Sequence, residues 1–372
     1  MKRSVRLSIV SLFLLNCFTV AYPGAAGQDP LPGLTDTSLT DTSLVLTPRK
    51  IVITGVGDIM LGSSFPSSEF LPPHDNPFLL LESVADTLAA SDITFGNLEG
   101  SFLNNGEAAK KCKDTTICYL FRMPERYISA LTSSGFNILS LANNHFGDFG
   151  LPARIRTKEI LDSVGIYYGG LIEHPWSIFR KDSILYGFCA FAPNAGTVNI
   201  NEVSKAGEIV KFLKDTCDIV IVYFHGGAEG AEYQNVPKTD EIFYGEDRGD
   251  VYNFAHTMID NGADIIFGSG PHVTRAIEVY KDRFISYSLG NFCTYGRFNL
   301  AGPNGIAPIV KINVDIKGKF LSGRIIPIYQ PWPGGVKIDN NRRVINKIRE
   351  LTTFDFPDAV IKISDNGEIT YK

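Results

Sequence analysis

No run or patch of lysine and arginine in this 372-residue chain points to nucleic acid, and a formal charge of −5 is too small for the length to name a charged partner. Past the N-terminus, no apolar segment approaches the roughly 20 residues that a membrane-spanning helix needs. Cysteine is scarce, six in all, and none has a neighbouring histidine placed to serve as a nucleophile's base, which argues against a thiol enzyme. Three of them, Cys189, Cys217 and Cys293, lie in or beside apolar segments and read as small buried hydrophobes. Histidine is as scarce, also six, so the places where histidines fall carry information.

What is present begins at the N-terminus. Lys2, Arg3 and Arg6 precede an apolar run over 7–20, and small residues follow at Ala21, Gly24, Ala25 and Ala26. That order predicts a cleaved signal peptide over 1–26 and an exported protein, periplasmic or at the cell surface. Leu14-Leu15-Asn16-Cys17 loosely resembles a lipoprotein attachment site, so lipidation at Cys17 is the alternative. Export permits disulfides, and Cys112 and Cys118, which flank a short polar stretch, are expected to pair. Residues 27–49 contain Thr35-Asp36-Thr37-Ser38-Leu39 repeated at once as Thr40-Asp41-Thr42-Ser43-Leu44, too poor in apolar groups to fold alone, and read as a disordered linker.

From residue 50 short β-branched runs alternate with amphipathic stretches. Strands are expected over 51–56, 93–96, 138–142, 184–191, 219–224, 265–267 and 284–288, with helices over 78–90, 125–133, 153–163 and 251–261. Apolar strands separated by helices predict an α/β fold whose sheet is largely covered on both faces. The runs over 309–316 and 323–328 alternate more cleanly and are expected to be antiparallel. One domain over 50–330 is the economical reading, followed by a C-terminal extension over 331–372, packed on the domain or following it, that carries no legible motif.

Polar residues recur just after the apolar strands, the edge at which open α/β sheets bind ligands. Gly57-Asp58 ends the first run and is expected to place a carboxylate in a tight turn. Asn97-Leu98-Glu99 ends the second, Asn143-Asn144-His145 the third, and the fourth of these segments runs straight into His225. A fifth ends Gly268-Ser269-Gly270-Pro271-His272. Three of the six histidines, His145, His225 and His272, thus follow strand signals, whereas His74, His174 and His256 do not. Asp, Glu, Asn and His together form a mixed oxygen and nitrogen set suited to Mn, Fe, Zn or Mg.

The ordered set Gly57-Asp58-Ile59-Met60-Leu61, Asn97-Leu98-Glu99, Ala142-Asn143-Asn144-His145-Phe146-Gly147-Asp148, His225-Gly226-Gly227-Ala228-Glu229, Gly270-Pro271-His272-Val273 and Tyr287-Ser288-Leu289-Gly290-Asn291-Phe292 resembles the CapA family of poly-γ-glutamate capsule biosynthesis proteins. That family is similar in turn to calcineurin-like metallophosphoesterases. The resemblance implies a four-layer α/β/β/α sandwich of the metallophosphatase type and one or two divalent ions. Carried over residue by residue, it makes Asp58, Glu99, Asn144, His225 and His272 metal ligands and His145 a general acid, with Asn143 as a substitute for Asn144. Asn97, Asn143, Glu229, Ser269, Arg275 and Asn291 are candidates to support the ligands or to touch substrate; Arg275 has pairing with Glu278 as its plainer reading. One departure stands out: Ser269 occupies a position where the wider superfamily has a ligand histidine.

Three functions compete at this stage. The first is a metal-dependent hydrolase of phosphoesterase type, acting outside the cytoplasm on an envelope or capsule polymer or on a phosphorylated small molecule. The second is a non-catalytic assembly or binding protein for an anionic polymer, working with membrane-bound synthesis machinery. The third, a glycosidase using Asp58 and Glu99, leaves the histidines unexplained.

Overall fold

The structure is a computed structural model that describes residues 49–111 and 119–372. The expected signal peptide, Cys17, the tandem repeat and the Cys112–Cys118 pair lie outside the described residues. In chain order the principal strands are β1 (Ile51–Met60), β2 (Ile93–Leu98), β3 (Ile138–Ser140), β4 (Tyr167–Gly169), β5 (Trp176–Lys181), β6 (Ile184–Phe191), β7 (Ile219–His225), β8 (Ile265–Ser269), β9 (Ile277–Tyr280), β10 (Arg283–Ser286), β11 (Asn291–Thr294), β12 (Ile306–Val314), β13 (Phe320–Tyr329), β14 (Ile361–Ile363) and β15 (Glu368–Tyr371). The helices are α1 (Phe78–Leu81), α2 (Ala85–Ala89), α3 (Ile128–Ser133), α4 (Gly150–Val164), α5 (Val203–Thr216), α6 (Val251–Asp260) and α7 (Arg343–Asp355).

Among the described residues these strands form two large sheets. One runs β14-β15-β13-β12-β1-β2-β3-β4, with β11 pairing the end of β1; the other runs β9-β10-β8-β7-β6-β5. Strands β1 to β4 are mutually parallel, as are β6, β7, β8 and β10. Antiparallel strands complete the flanks, β12 and β13 as the sequence alternation predicts. The two sheets face each other across a dry core of Ile53, Phe95, Ile138, Phe188, Tyr223, Phe267 and Ile312. Phe95 is its centre, stacked on Phe267 at 5.3 Å and tilted against Phe188 and Tyr223 at 5.7 and 5.1 Å.

Helices cover the outer faces. Leu81, Leu88, Leu131 and Leu161, from α1 to α4, pack with Leu98 and Leu139 on the first sheet. Val210, Leu213, Phe254 and Met258, from α5 and α6, pack with Val222, Phe224 and Ile266 on the second. The result is the four-layer α/β/β/α sandwich, its central strands apolar on both sides because both sides are covered. Helix α7 inserts Val344, Ile345 and Ile348 into the core between the sheets, and β14 and β15 extend the first sheet, so residues beyond 331 are part of the sandwich. No helix among the described residues is long and apolar enough to cross a membrane. Cys189, Cys217 and Cys293 are buried and unpaired, as their apolar surroundings predict.

Local chemistry explains the helix ends. Asp250 caps α6 by accepting from the Asn253 N–H at 2.9 Å. Gly165 ends α4 with φ +71°, a left-handed turn that side chains with a Cβ resist. The helix expected over 78–90 is instead two short ones, α1 and α2, separated at Val84, whose φ/ψ of −131° and −7° is not helical.

Candidate metal centre

The C-terminal ends of the parallel strands in both sheets meet at one edge of the sandwich, and the polar residues of the sequence motifs converge there. Asp58 is not in a tight turn as the Gly-Asp pair suggests; it lies inside β1, where that strand changes partners. Up to Gly55, β1 pairs antiparallel with β12; from Asp58 it pairs parallel with β11, and its pairing with β2 shifts register between Gly55 and Asp58. Such bulges re-aim side chains next to functional sites. Gly57 is needed for the change, since a Cβ there would stand 1.9 Å from the Gly290 carbonyl oxygen. The approach lets the Asp58 N–H donate to that carbonyl at 2.9 Å.

The Asp58 carboxylate is fully buried, and both of its oxygens are engaged. Oδ1 accepts from Asn97 Nδ2 at 2.8 Å and from Ser269 Oγ at 2.6 Å, and Oδ2 lies 2.9 Å from His272 Nδ1. Asn97 Nδ2 also donates to Glu99 Oε2, so a single amide spaces the two carboxylates. The turn after β3 is tied in by Asn143: its Nδ2 donates to Asn97 Oδ1 and Leu98 O, and its Oδ1 accepts the His145 and Phe146 N–H groups. With its amide hydrogens and carbonyl oxygen all engaged, Asn143 braces the turn, whereas Asn144 Oδ1 has no partner among the described residues. His272 sits in a left-handed conformation, φ +58°, rare outside glycine and common where a site over-determines the backbone. Asn291 holds it there: Oδ1 is 3.1 Å from His272 Nδ1 and Nδ2 donates to the His272 carbonyl at 3.2 Å.

Whether these residues suit a divalent cation is decided by what remains unpaired. Among the described residues, Glu99 Oε1, Asn144 Oδ1 and His225 Nε2 are buried side-chain atoms with no hydrogen-bond partner. A buried polar atom without a partner costs about 1–3 kcal/mol, so unpaired atoms on both Glu99 and His225, which offer ligand atoms within 4.8 Å of each other, call for more than packing to explain them. Asp58, Glu99 and His225 each offer a donor atom within 4.8 Å of the others. Oxygen and imidazole donors at this spacing fit a divalent first-row metal or Mg. His272 stands beside this triad and is engaged with Asp58.

The electrostatics agree. Burial, and after it the charge of Asp58, push the Glu99 carboxyl well above its usual range. Burial also works against Asp58, but the hydrogen bond and charge of His272, with His225 and Ser269, outweigh it and hold that carboxyl below its usual value. Burial and the Arg248 guanidinium keep His225 well below the usual histidine value, hence neutral, the form that binds metal. His272 goes the other way: burial alone would lower it, but Asp58 raises it to about 9. A cation held by Glu99 would therefore compete with a proton on that carboxyl. A group with a raised pKa gains competence as pH rises through that value and loses it as pH falls, so metal affinity should weaken by about tenfold for each pH unit below the Glu99 pKa. Chelator competition across pH, with Glu99→Gln as a flattened control, measures this.

His145 lies beside the cluster with a carboxylate of its own. Its Nδ1 is 2.8 Å from Asp148 Oδ2, and its ring packs on Phe121 at 4.2 Å between centroids. Asp148 is fully buried and also accepts the Phe121 N–H at 3.0 Å, so the imidazole is held at one nitrogen and on one face.

All of these residues fall within the part of the chain, residues 52–295, that matches the family model of the bacterial capsule synthesis protein PGA_cap. The chain belongs to this family. Among curated members and relatives, it is 28% identical over 266 residues to the capsule biosynthesis protein CapA of Bacillus anthracis, covering 66% of this chain and 60% of that protein. It is 28% identical over 253 residues to the PGA biosynthesis protein CapA of Bacillus subtilis (strain 168), covering 64% of this chain and 61% of that one. The chain thus spans about 60% of the length of these capsule-family relatives. Solved structures with a similar arrangement include a hypothetical protein from Thermus thermophilus, with a TM-score of 0.46 and 12% identity over 76% of this chain and 100% of that one. A 5'-nucleotidase precursor from the same organism has a TM-score of 0.39 and 10% identity over 76% and 54%.

Of the remaining candidates in this family member, Ser269 is neither ligand nor bystander: its hydroxyl donates to Asp58 across the sheet interface. Glu229 lines the cleft beside Asn144 and pairs with Arg248 at 3.1 Å. The partner of Arg275 is not Glu278, which binds His256 and the Tyr287 hydroxyl. Its fully buried guanidinium instead forms a two-pronged pair with Glu241, both contacts 2.7 Å, and fastens the excursion between β7 and α6. Glu241→Ala should destabilise the fold by about 3–5 kcal/mol in urea unfolding by leaving that cation unpaired, and the Glu241→Leu, Arg275→Met pair should cost markedly less.

Two residues that hold candidate histidines went unread in the sequence. Tyr223 places its hydroxyl 3.2 Å from His225 Nδ1 and orients the ring; position i−2 on the same strand face was the available signal. Asp148, three residues after His145 in the same turn, was the other.

Proposed function

We propose that this protein is an exported, divalent-metal-dependent hydrolase of the phosphoesterase type. It acts on an envelope or capsule polymer, or on a phosphorylated small molecule, beside membrane-bound polymer synthesis machinery. The observation that carries the reading is the buried donor set at the strand ends, three of whose atoms lack partners, next to an oriented histidine–aspartate pair. The names of its relatives, capsule and PGA biosynthesis, support the setting.

Asp58, Glu99, Asn144 and His225 would hold the ion, with His272 as a further ligand or as the partner that positions Asp58. A bound Mn, Fe, Zn or Mg ion supplies Lewis acidity that stabilises negative charge developing on a phosphoryl group. Asn97 keeps the two carboxylates at fixed spacing, and Asn143 fixes the turn that carries Asn144 and His145. His145, held at Nδ1 by Asp148, carries on its other nitrogen the proton that the leaving group takes. A glycosidase pair must flank an accessible scissile bond, whereas Asp58 and Glu99 are both fully buried and share one amide.

One observation favours the assembly-protein reading: the Ser269 hydroxyl is bound to Asp58 where a further ligand would otherwise stand. Release of nitrophenol from bis(p-nitrophenyl) phosphate by metal-replete protein separates the two. Turnover lost on chelation and restored by one of the four metals supports the hydrolase. Bound metal with no turnover on phosphodiesters or capsule polymer would sink it in favour of assembly.

A further inference from the structure

The cleft that opens onto Asn144 has a volume of about 550 Å³ and carries three cations, Lys110, Arg154 and Arg248. Two of them have carboxylates at hand. Lys110 Nζ is 3.5 Å from Asp148 Oδ1, and Arg248 is 3.1 Å from both Glu229 and Glu246. Arg154 has no ion-pair partner among the described residues; Glu173, whose charge it feels at longer range, is paired with Lys158 at 3.3 Å. Of its five N–H donors, one on Nη2 reaches the Ala195 carbonyl at 3.1 Å, while the buried Nε has no partner.

This guanidinium is nonetheless held in place. It stands 5.9 Å over the Phe146 ring, directly after His145, and two glycines make room for it. A Cβ on Gly147 would meet Nη2 at 2.9 Å, and one on Gly196 would meet Nη1 at 2.2 Å. The loop that wraps it also carries Asn194, whose Nδ2 is committed to Glu246 at 2.8 Å and whose buried Oδ1 has no partner among the described residues. A cation without an ion-pair partner among the described residues therefore lines the cleft that leads to the candidate metal centre.

We propose that Arg154 forms a subsite for an acidic group of the substrate, carboxylate or phosphate. The guanidinium receives the anion, fixing the substrate beside the position where His145 acts. Arg154 is a specificity residue in this scheme. The inference rests on the proposed hydrolytic reading for its purpose, though the binding itself does not need metal.

Titration calorimetry on the full chain tests it with three probes: N-acetylglycine, its uncharged methyl ester, and inorganic phosphate. The series covers wild type, Arg154→Gln and Arg154→Lys, each also in an Asp58→Asn background that removes the metal as a phosphate ligand. Arg154→Gln should weaken the preferred anion by about tenfold or more, Arg154→Lys by less, and the ester should bind wild type at least about tenfold more weakly than the acid. Metal content and melting temperature should not move. Loss confined to N-acetylglycine assigns a carboxylate, and loss confined to phosphate assigns a phosphoryl group. Equal binding of both anions to wild type and Arg154→Gln, or no binding to either, overturns the subsite. Wild-type protein that holds no metal yet keeps Arg154-dependent binding would refute the hydrolase and leave the subsite standing.

Discussion

Replacing Asp58 by asparagine should strip the protein of its metal. The substitution keeps the volume of a fully buried side chain but exchanges one acceptor oxygen for a donor. Every neighbour of that carboxylate, Asn97 Nδ2, the Ser269 hydroxyl and His272 Nδ1, is a donor in the native arrangement, so the new amide meets a donor whichever way it turns. It also removes the negative charge that cooperates with Glu99 and His225 in holding a cation. Losing a supporting partner of a metal ligand typically weakens affinity by about 10–100-fold, and losing a ligand should exceed that. Elemental analysis of Asp58→Asn should show background metal, and phosphodiester turnover should fall with it. Glu99 should then titrate closer to its usual range, because part of its upward shift comes from the Asp58 charge.

The second large effect is on chemistry without loss of metal. His145 makes no contact with Asp58, Glu99 or His225 in the hydrogen-bond network and is instead fixed by Asp148 and Phe121. His145→Gln should lower kcat by about 10²–10⁴-fold while metal content stays at the wild-type value. If its role is to protonate the leaving group, the deficit should shrink sharply on p-nitrophenyl esters, whose leaving group needs no proton, and remain on alkyl esters. Asp148→Asn should show a smaller version of the same pattern, because it disturbs the orientation and tautomer of the ring rather than removing it. A uniform loss on both ester types would mean that His145 positions the substrate or the fold instead.

The sequence was most legible where burial on both faces forces simple patterns. The β-branched runs of β1, β2, β6, β7 and β8 could be found because a strand covered on both sides has no room for polar residues, and whatever follows it is conspicuous. That is why the polar residues after these runs could be singled out, while the family resemblance supplied the roles of Asp58, Glu99, Asn144, His145, His225 and His272. Helix α5 was overlooked although Ala206, Val210 and Leu213 repeat at helical spacing, because lysines and a glycine between them dilute the stripe. Strand β11 was hidden for another reason. It is four residues long and takes its meaning only from pairing with the far end of β1, a contact across more than two hundred residues. The same non-locality hid the true position of Asp58, since nothing local distinguishes a Gly-Asp turn from a Gly-Asp bulge. Arg275 was misread because its partner, Glu241, is 34 residues away, on an excursion with no periodicity to read.

The claim beneath all of this is that Asp58, Glu99 and His225 enclose a divalent ion. Anomalous diffraction from crystals of the protein grown with manganese tests it directly. A strong anomalous peak among these three side chains, absent in Asp58→Asn crystals, is the predicted result. A well-ordered site without that peak, or manganese bound only elsewhere, would contradict it.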